Sequence, residues 1–262
     1  MPDQDHDQVV LFDAVGTVIR PVPDVVSVYE NLGRASGSRL TRDELKRRIG
    51  WARQKFFNVY SSSKALEDID RLGLSGWFES AIAINNVVSS DEIELQLWRQ
   101  LVVEVFKNVP DSNRLFEKLW EHFRLPQHWQ LYDDAAVCWD RLRKQGCMIG
   151  LASNFDSRLL QLCDSIPLLN TADFVFQSAG VGFRKPSPMF YQTIENEILG
   201  STNLGDSSPS TIYMVGDDLV NDCLAPARHG WSGFWLNRDQ AQSSNAVPEV
   251  ASLVEFAGQI TS

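Results

Sequence analysis

The chain has 262 residues, 44% of them hydrophobic and 22% charged, which supplies a core for one large domain or a core plus an accessory domain and excludes a disordered chain. Its formal net charge of −10 argues against nucleic acid or an anionic membrane as the main partner, because both reward basic patches. No run reaches transmembrane length, residues 1–8 have neither the basic nor the apolar part of a signal peptide, and Cys138, Cys147, Cys163 and Cys223 show no CxxC spacing, so the expectation is a cytoplasmic protein with buried free thiols.

Val9-Val10-Leu11-Phe12 predicts a strand buried on both faces, ended abruptly by Asp13 and a Gly16-Thr17 turn. Pro21 and Pro23 forbid a regular helix over 18–23 and predict an extended connection that leaves the core. Helical periodicity follows. Asp24 caps a helix through Val25, Val28, Tyr29 and Leu32, with Gly33 and Gly37 near its end. Thr41 and Glu44 have the spacing of a capping box before Leu45, Ile49, Ala52 and Phe56. Ser61-Ser62-Ser63 breaks the pattern, and around 72–84 Trp77-Phe78 is expected to pack internally. Ser90 opens a helix with Ile93, Leu97, Leu101 and Val105 on one face, and Asp111 another through Leu115, Leu119 and Phe123.

A return connection at 126–132 leads into strand–helix alternation: helix 134–144, strand 147–152, a helix from Asp156, strand 173–176, helix 187–199, strand 211–215, helix 219–228, strand 232–236 and a last helix near 248–258. The loop 196–210 is rich in Gly, Ser and Asn. Alternation of this kind implies an α/β fold, a doubly wound, Rossmann-like parallel sheet with helices on both faces. The expected organisation is a core of residues 1–21 and 131–262, with residues 22–130 inserted as an all-helical cap domain.

Four segments carry candidate chemistry, each closing a predicted strand or opening a helix. They are Asp13…Thr17, Ser153-Asn154, Lys185-Pro186, and Gly216-Asp217-Asp218 with Asp222. In this order they resemble the motifs of the haloacid dehalogenase-like hydrolases, mostly phosphatases with an aspartate nucleophile and Mg²⁺. The resemblance implies that Asp13 attacks the substrate. It also implies that Asp13, Asp217, Asp218 and the carbonyl of Val15 surround Mg²⁺. Thr17, Ser153, Asn154 and Lys185 then bind a small phosphorylated or other anionic substrate, with Ser153 and Lys185 also catalytic. The chemistry is coherent: a carboxylate cannot approach a phosphoryl group unaided, and a divalent cation removes the repulsion. Asn154 is expected to orient its turn, while Asp222 is open between tuning the site and a cap or surface ion pair.

One position departs from the family pattern. The resembled phosphatases carry a second Asp two residues after the nucleophile, where this chain has Val15. That Asp protonates the leaving group and later activates water, assistance worth about 10²–10⁴ in rate. Three readings follow. The chain is a phosphohydrolase of weak or selective activity, or a dehalogenase cleaving carbon–halogen bonds, or a catalytically impaired binding protein. A Schiff-base phosphonate hydrolase would need a cap lysine; Lys46, Lys55 and Lys64 are available and nothing singles one out. Neither the substrate nor an oligomeric state is encoded in these patterns.

Overall fold

The computed structural model describes residues 8–57, 88–201, 209–240 and 247–261. The break at 61–63, Lys64, the Trp77-Phe78 region and residues 202–208 of the polar loop lie outside them. In chain order, β1 (Gln8–Phe12) and β2 (Ile19–Pro21) precede α1 (Val25–Ala35), α2 (Arg42–Phe57), α3 (Asp91–Val105) and α4 (Ser112–Arg124). Next come β3 (Trp129–Leu131), α5 (Ala135–Lys144), β4 (Met148–Ser153), α6 (Arg158–Ser165), β5 (Phe174–Gln177), α7 (Ser178–Val181) and α8 (Pro188–Leu199). The chain ends with β6 (Thr211–Gly216), a π-helical turn Leu219–Leu224, α9 (Ala225–His229), β7 (Ser232–Leu236), β8 (Glu249–Val250) and α10 (Leu253–Ile260).

Six strands form one parallel sheet in the order β5-β4-β1-β6-β7-β8. β1 lies at its centre, Val10 aligned with Ile149 of β4 and with Tyr213 of β6. Successive strands are added to one side of β1 and then to the other, so the connections diverge beside β1. In open α/β sheets the crevice at the carboxyl ends of such strands is where ligands bind. The period-2 alternation of a strand sends Val9 and Leu11 into one face, with Met214, Phe190 and Tyr191, and Val10 and Phe12 into the other. There Phe12 stacks on Trp139 at 5.5 Å and meets Phe256 edge-on at 6.0 Å. Each such fully buried side chain contributes about 1.5–3 kcal/mol, which fixes the register that delivers Asp13.

α1 to α4 build a separate apolar cluster from Val28, Tyr29, Leu45, Leu101, Val105, Phe106, Leu115 and Leu119. Among the described residues, 22–130 contribute no strand to the six-stranded sheet. The expected caps are present: Asp24 accepts from Ser27 N at 3.2 Å, Ser90 from Ile93 N at 3.2 Å and Asp111 from Arg114 N at 2.9 Å. The capping box is only half formed. Thr41 Oγ1 accepts from Glu44 N at 3.3 Å, while the Glu44 carboxylate turns to Arg47 and Arg48.

Other differences have local causes. The two connections to the helical segment pair with each other as an antiparallel ribbon, Ile19 opposite Leu131 and Pro21 opposite Trp129. The ring of Tyr132 beyond it meets the guanidinium groups of Arg20, at 5.1 Å, and Arg238, at 4.1 Å. Arg238 pairs with Asp134 at 2.8 Å and donates to Thr17 O at 2.9 Å, tying the ribbon to the first turn of the site. The expected helix 219–228 is a π-turn followed by α9, because Pro226 lacks the N–H a continuous α-helix needs. The last helix starts later than expected, capped by Ser252, after the short edge strand β8. No helix among the described residues is long and apolar enough to cross a membrane.

Candidate active site

β1 carries its ladder one residue further, Asp13 N donating to Val215 O at 2.9 Å, and so holds the Asp13 side chain at the mouth of the crevice. Asp13 is 8% exposed, and its Oδ1 accepts from Ser153 Oγ at 2.9 Å and from Lys185 Nζ at 2.8 Å. Lys185 also donates to Ala152 O at 2.9 Å and to Asp222 Oδ1 at 2.6 Å. An ammonium has three N–H donors, and these contacts use them all.

Thr17, expected to touch substrate, is completely buried, and its hydroxyl accepts from Asp217 N at 3.2 Å. It supports a neighbouring carboxylate instead. Asn154, expected to bind substrate or to orient its own turn, reaches instead to the Lys185 loop: its Oδ1 accepts from Lys185 N at 2.7 Å and its Nδ2 donates to Lys185 O at 3.0 Å. Val15 is half-buried, bridges Ile19 and packs on the core face that holds Phe12, so its side chain offers neither acid nor base.

The carboxylates divide differently from the expectation. Ligand oxygens of Asp13, Asp217 and Asp222 all lie within 4.8 Å of one another. Asp218, expected among the metal ligands, is held elsewhere, because its Oδ1 caps the π-turn by accepting from Val220 N at 3.0 Å and Asn221 N at 2.9 Å. Asp222 is not a surface pair. It is 1% exposed, bonded through one oxygen to Lys185 and through the other to Asp218 N at 3.0 Å. Sequence pattern placed both residues beside Asp217 but could not say which would cap the turn.

Two glycines let the acidic groups approach. Gly16 has φ +92°, and a Cβ there would stand 2.3 Å from Asp217 Oδ2. At Gly216 a Cβ would lie 2.2 Å from Asp222 Oδ2 and 2.8 Å from Asp13 Cβ. No side chain fits either place without moving a carboxylate.

Crowding shows in the acidities. Desolvation first, then the charges of Asp13 and Asp218, push Asp217 up to about 7 against the opposing pull of Arg53 and Lys185. Asp217 still meets solvent along the crevice, so the like charges that push in the same direction are its firmer cause. Burial raises Asp222 well above the carboxylate range, with Lys185 opposing. For Lys185, burial favours the neutral amine, but Asp13 and Asp222 outweigh it and hold the ammonium charged. A single ammonium cannot balance Asp13, Asp217, Asp218 and Asp222. The remaining negative charge and the all-oxygen donor set fit a hard divalent cation such as Mg²⁺. Asp217 suits that role, since among the described residues no donor is bonded to its carboxylate.

The fold is thus a parallel α/β sheet that carries an acidic cluster and a buried lysine at its carboxyl edge. The chain belongs to the haloacid dehalogenase-like hydrolases, whose family model matches residues 8–230. It is similar to haloacid dehalogenase-like hydrolase domain-containing protein 3 of Mus musculus, 32% identical over 174 residues, covering 61% of this chain and 66% of that protein. It is also similar to the rhythmically expressed gene 2 protein of Drosophila melanogaster, 27% identical over 146 residues, covering 52% of this chain and 55% of that one. The alignments thus span 66% and 55% of those relatives' lengths. Among solved structures, YfnB from Bacillus subtilis, bound to magnesium, superposes with TM-score 0.65 at 18% identity, covering 99% of this chain and 100% of that one. L-2-haloacid dehalogenase from Xanthobacter autotrophicus gives 0.62 at 19%, covering 97% and 98%. At these identities the likeness is one of fold.

Proposed function

We propose that the protein is a Mg²⁺-dependent phosphohydrolase that uses Asp13 as nucleophile on small phosphorylated substrates, with activity narrowed by Val15. The supporting observation is the joint placement of Asp13 and Asp217 around one point, with Lys185 bonded to Asp13. In this reading residues 1–21 and 131–262 form the catalytic core and 22–130 the cap.

Lys185 and Ser153 hold one oxygen of Asp13, which leaves the other to attack phosphorus in line and form an aspartyl-phosphate. Asp13, Asp217 and the Val15 carbonyl would hold Mg²⁺, which when bound screens the nucleophile from the anionic phosphoryl group. Lys185 stays protonated and balances charge that builds up on transferring oxygens. No acid stands at Val15 to protonate the departing oxygen, so substrates with good leaving groups, acyl or aryl phosphates, are favoured.

Dehalogenase chemistry is the second reading, and the apolar side chain of Val15 favours it. The acidic cluster at Asp217 and Asp222 speaks for a cation and hence for phosphate. The test is an assay panel of p-nitrophenyl phosphate, acetyl phosphate and 2-chloropropionate, each with Mg²⁺ and with EDTA. Turnover of the phosphates only with Mg²⁺, lost in Asp13→Asn, supports the proposal; metal-independent chloride release overturns it.

A further inference from the structure

Glu94 lies in the first turn of α3, yet its side chain leaves the helical segment for the core and is fully buried. A carboxylate without water must have its acceptors met by protein. Arg184 Nη1 bonds both of its oxygens, Ser89 Oγ donates to Oε1 at 2.6 Å, and Ser178 Oγ lies 3.4 Å from the same oxygen. Arg184 is buried as well, its guanidinium over the Phe57 ring at 4.7 Å. The backbone follows the same path: Ser89 N donates to Gly182 O at 2.8 Å, and Val88 bridges Phe183. Residues 88–94 are therefore fastened to 182–184, directly before Lys185.

Lys185 has no slack. Its peptide is clasped on both sides by the Asn154 amide, and its ammonium spends every donor on Asp13, Ala152 and Asp222. Asn154 fixes this loop from the core, and Glu94 fixes it from the helical segment. A buried ion pair is a poor means of adding stability, because desolvation offsets the attraction and apolar side chains of equal volume do as well. What it can supply is a unique register.

We propose that Glu94 is a positioning residue: by holding Arg184 it sets Lys185 against Asp13, so that the nucleophile is correctly placed only while the helical segment is seated. The inference rests on the reading of Asp13 as nucleophile.

Three variants test it. Glu94→Gln keeps the shape and removes the charge. Glu94→Asp keeps the charge. The double variant Glu94→Met/Arg184→Met fills the space without stranding either charge, and so guards against a single variant that fails to fold. Two experiments are read: kcat and KM for p-nitrophenyl phosphate with Mg²⁺, and the rate at which trinitrobenzenesulfonate labels Lys185, followed by mass spectrometry. A displacement of about 1 Å at a reacting group can cost about 10²-fold. Glu94→Gln and the double variant should lose kcat by about that factor while KM stays within about twofold. Lys185 should label faster in both, and Glu94→Asp should recover part of kcat. A folded double variant with wild-type kcat overturns the proposal. So does a loss matched by a rise in KM with Lys185 as protected as in the wild type, which would make the pair a simple fastening. If the wild-type protein hydrolyses no phosphate, the functional reading fails but the labelling still decides: faster labelling supports the positioning role, and unchanged labelling overturns it.

Discussion

Replacing Lys185 by Met should destabilise the protein strongly, and in a pH-dependent way. Nζ lies 2.8 Å from Asp13 Oδ1 and 2.6 Å from Asp222 Oδ1. At an effective dielectric of about 20, each contact has a gross attraction of about 6 kcal/mol. Most of that is offset by the desolvation of the charges, but removing only the cation leaves two carboxylates enclosed without a counter-charge, a loss of about 3–5 kcal/mol. At about 2–4 °C per kcal/mol for a chain of this size, the melting midpoint should fall by roughly 6–20 °C. The pH dependence follows from Asp222, which burial already holds above the carboxylate range with Lys185 opposing. A carboxyl whose folded pKa is raised favours the folded state in acid, and that advantage is lost as pH rises through the raised value. The deficit of Lys185→Met against the wild type should therefore be smallest near about pH 5 and largest near about pH 8. Calorimetric melts in EDTA at both pH values measure it. A variant that melts within about 2 °C of the wild type at the higher pH, or is penalised more in acid, would show that Lys185 is not the counter-ion of this cluster.

Val15→Asp should raise turnover of alkyl phosphates more than that of p-nitrophenyl phosphate, by up to about 10²-fold, because only the alkoxide needs a proton to leave; an equal gain on both would place the missing acid elsewhere. Asp217, raised from 3.8 to about 7, stabilises the metal-free fold below its ordinary value and loses that contribution as pH climbs through about 7. The Mg²⁺-induced rise in melting temperature should accordingly be larger near about pH 8 than near about pH 5, and nearly absent in Asp217→Asn; a pH-independent shift would contradict the crowding described above. Burial pushes the thiols of Cys138, Cys163 and Cys223 up to about 12. They should resist Ellman's reagent in the native protein and react together on denaturation, and rapid native labelling of Cys163 would be inconsistent with its packing.

The carboxyl edge of the sheet was legible because Asp13, Ser153 and Asp217 each end or follow a run whose apolar pattern is local. Four consecutive apolar residues before Asp13 read as a strand covered on both sides, and the same pattern precedes Ser153 and Asp217. What escaped depended on partners far along the chain. Glu94, with Asp91 and Glu92, reads as an acidic first turn complementing a helix dipole; its burial follows from Arg184, which no periodicity connects to it. The stretches 18–23 and 126–132 read only as an outgoing and a return connection, and the pairing of 19–21 with 129–131 is a non-local event that neither announces. The exchange between Asp218 and Asp222 has another origin. Asp218 follows Asp217 directly and Asp222 lies five positions on, and only the π-turn, shaped partly by Pro226, decides which one accepts its first N–H groups and which one meets Lys185.

Because Pro21 and Trp129 are neighbours in the ribbon, the polypeptide leaves the sheet and re-enters it at one place. Topologically the excursion is a hairpin with a very long tip. The entropy of closing such a tip grows only logarithmically, by about 0.6 kcal/mol for each doubling of length, so the sheet is indifferent to how much chain the hairpin carries. Trimming the tip to a tight turn should leave the strand order intact. It would also remove Glu94 and leave the Arg184 guanidinium without its carboxylate, beside the loop that presents Lys185. A minimal version of this protein would therefore need an apolar residue at 184 as well, since the excursion can be detached by its backbone and not by its charges.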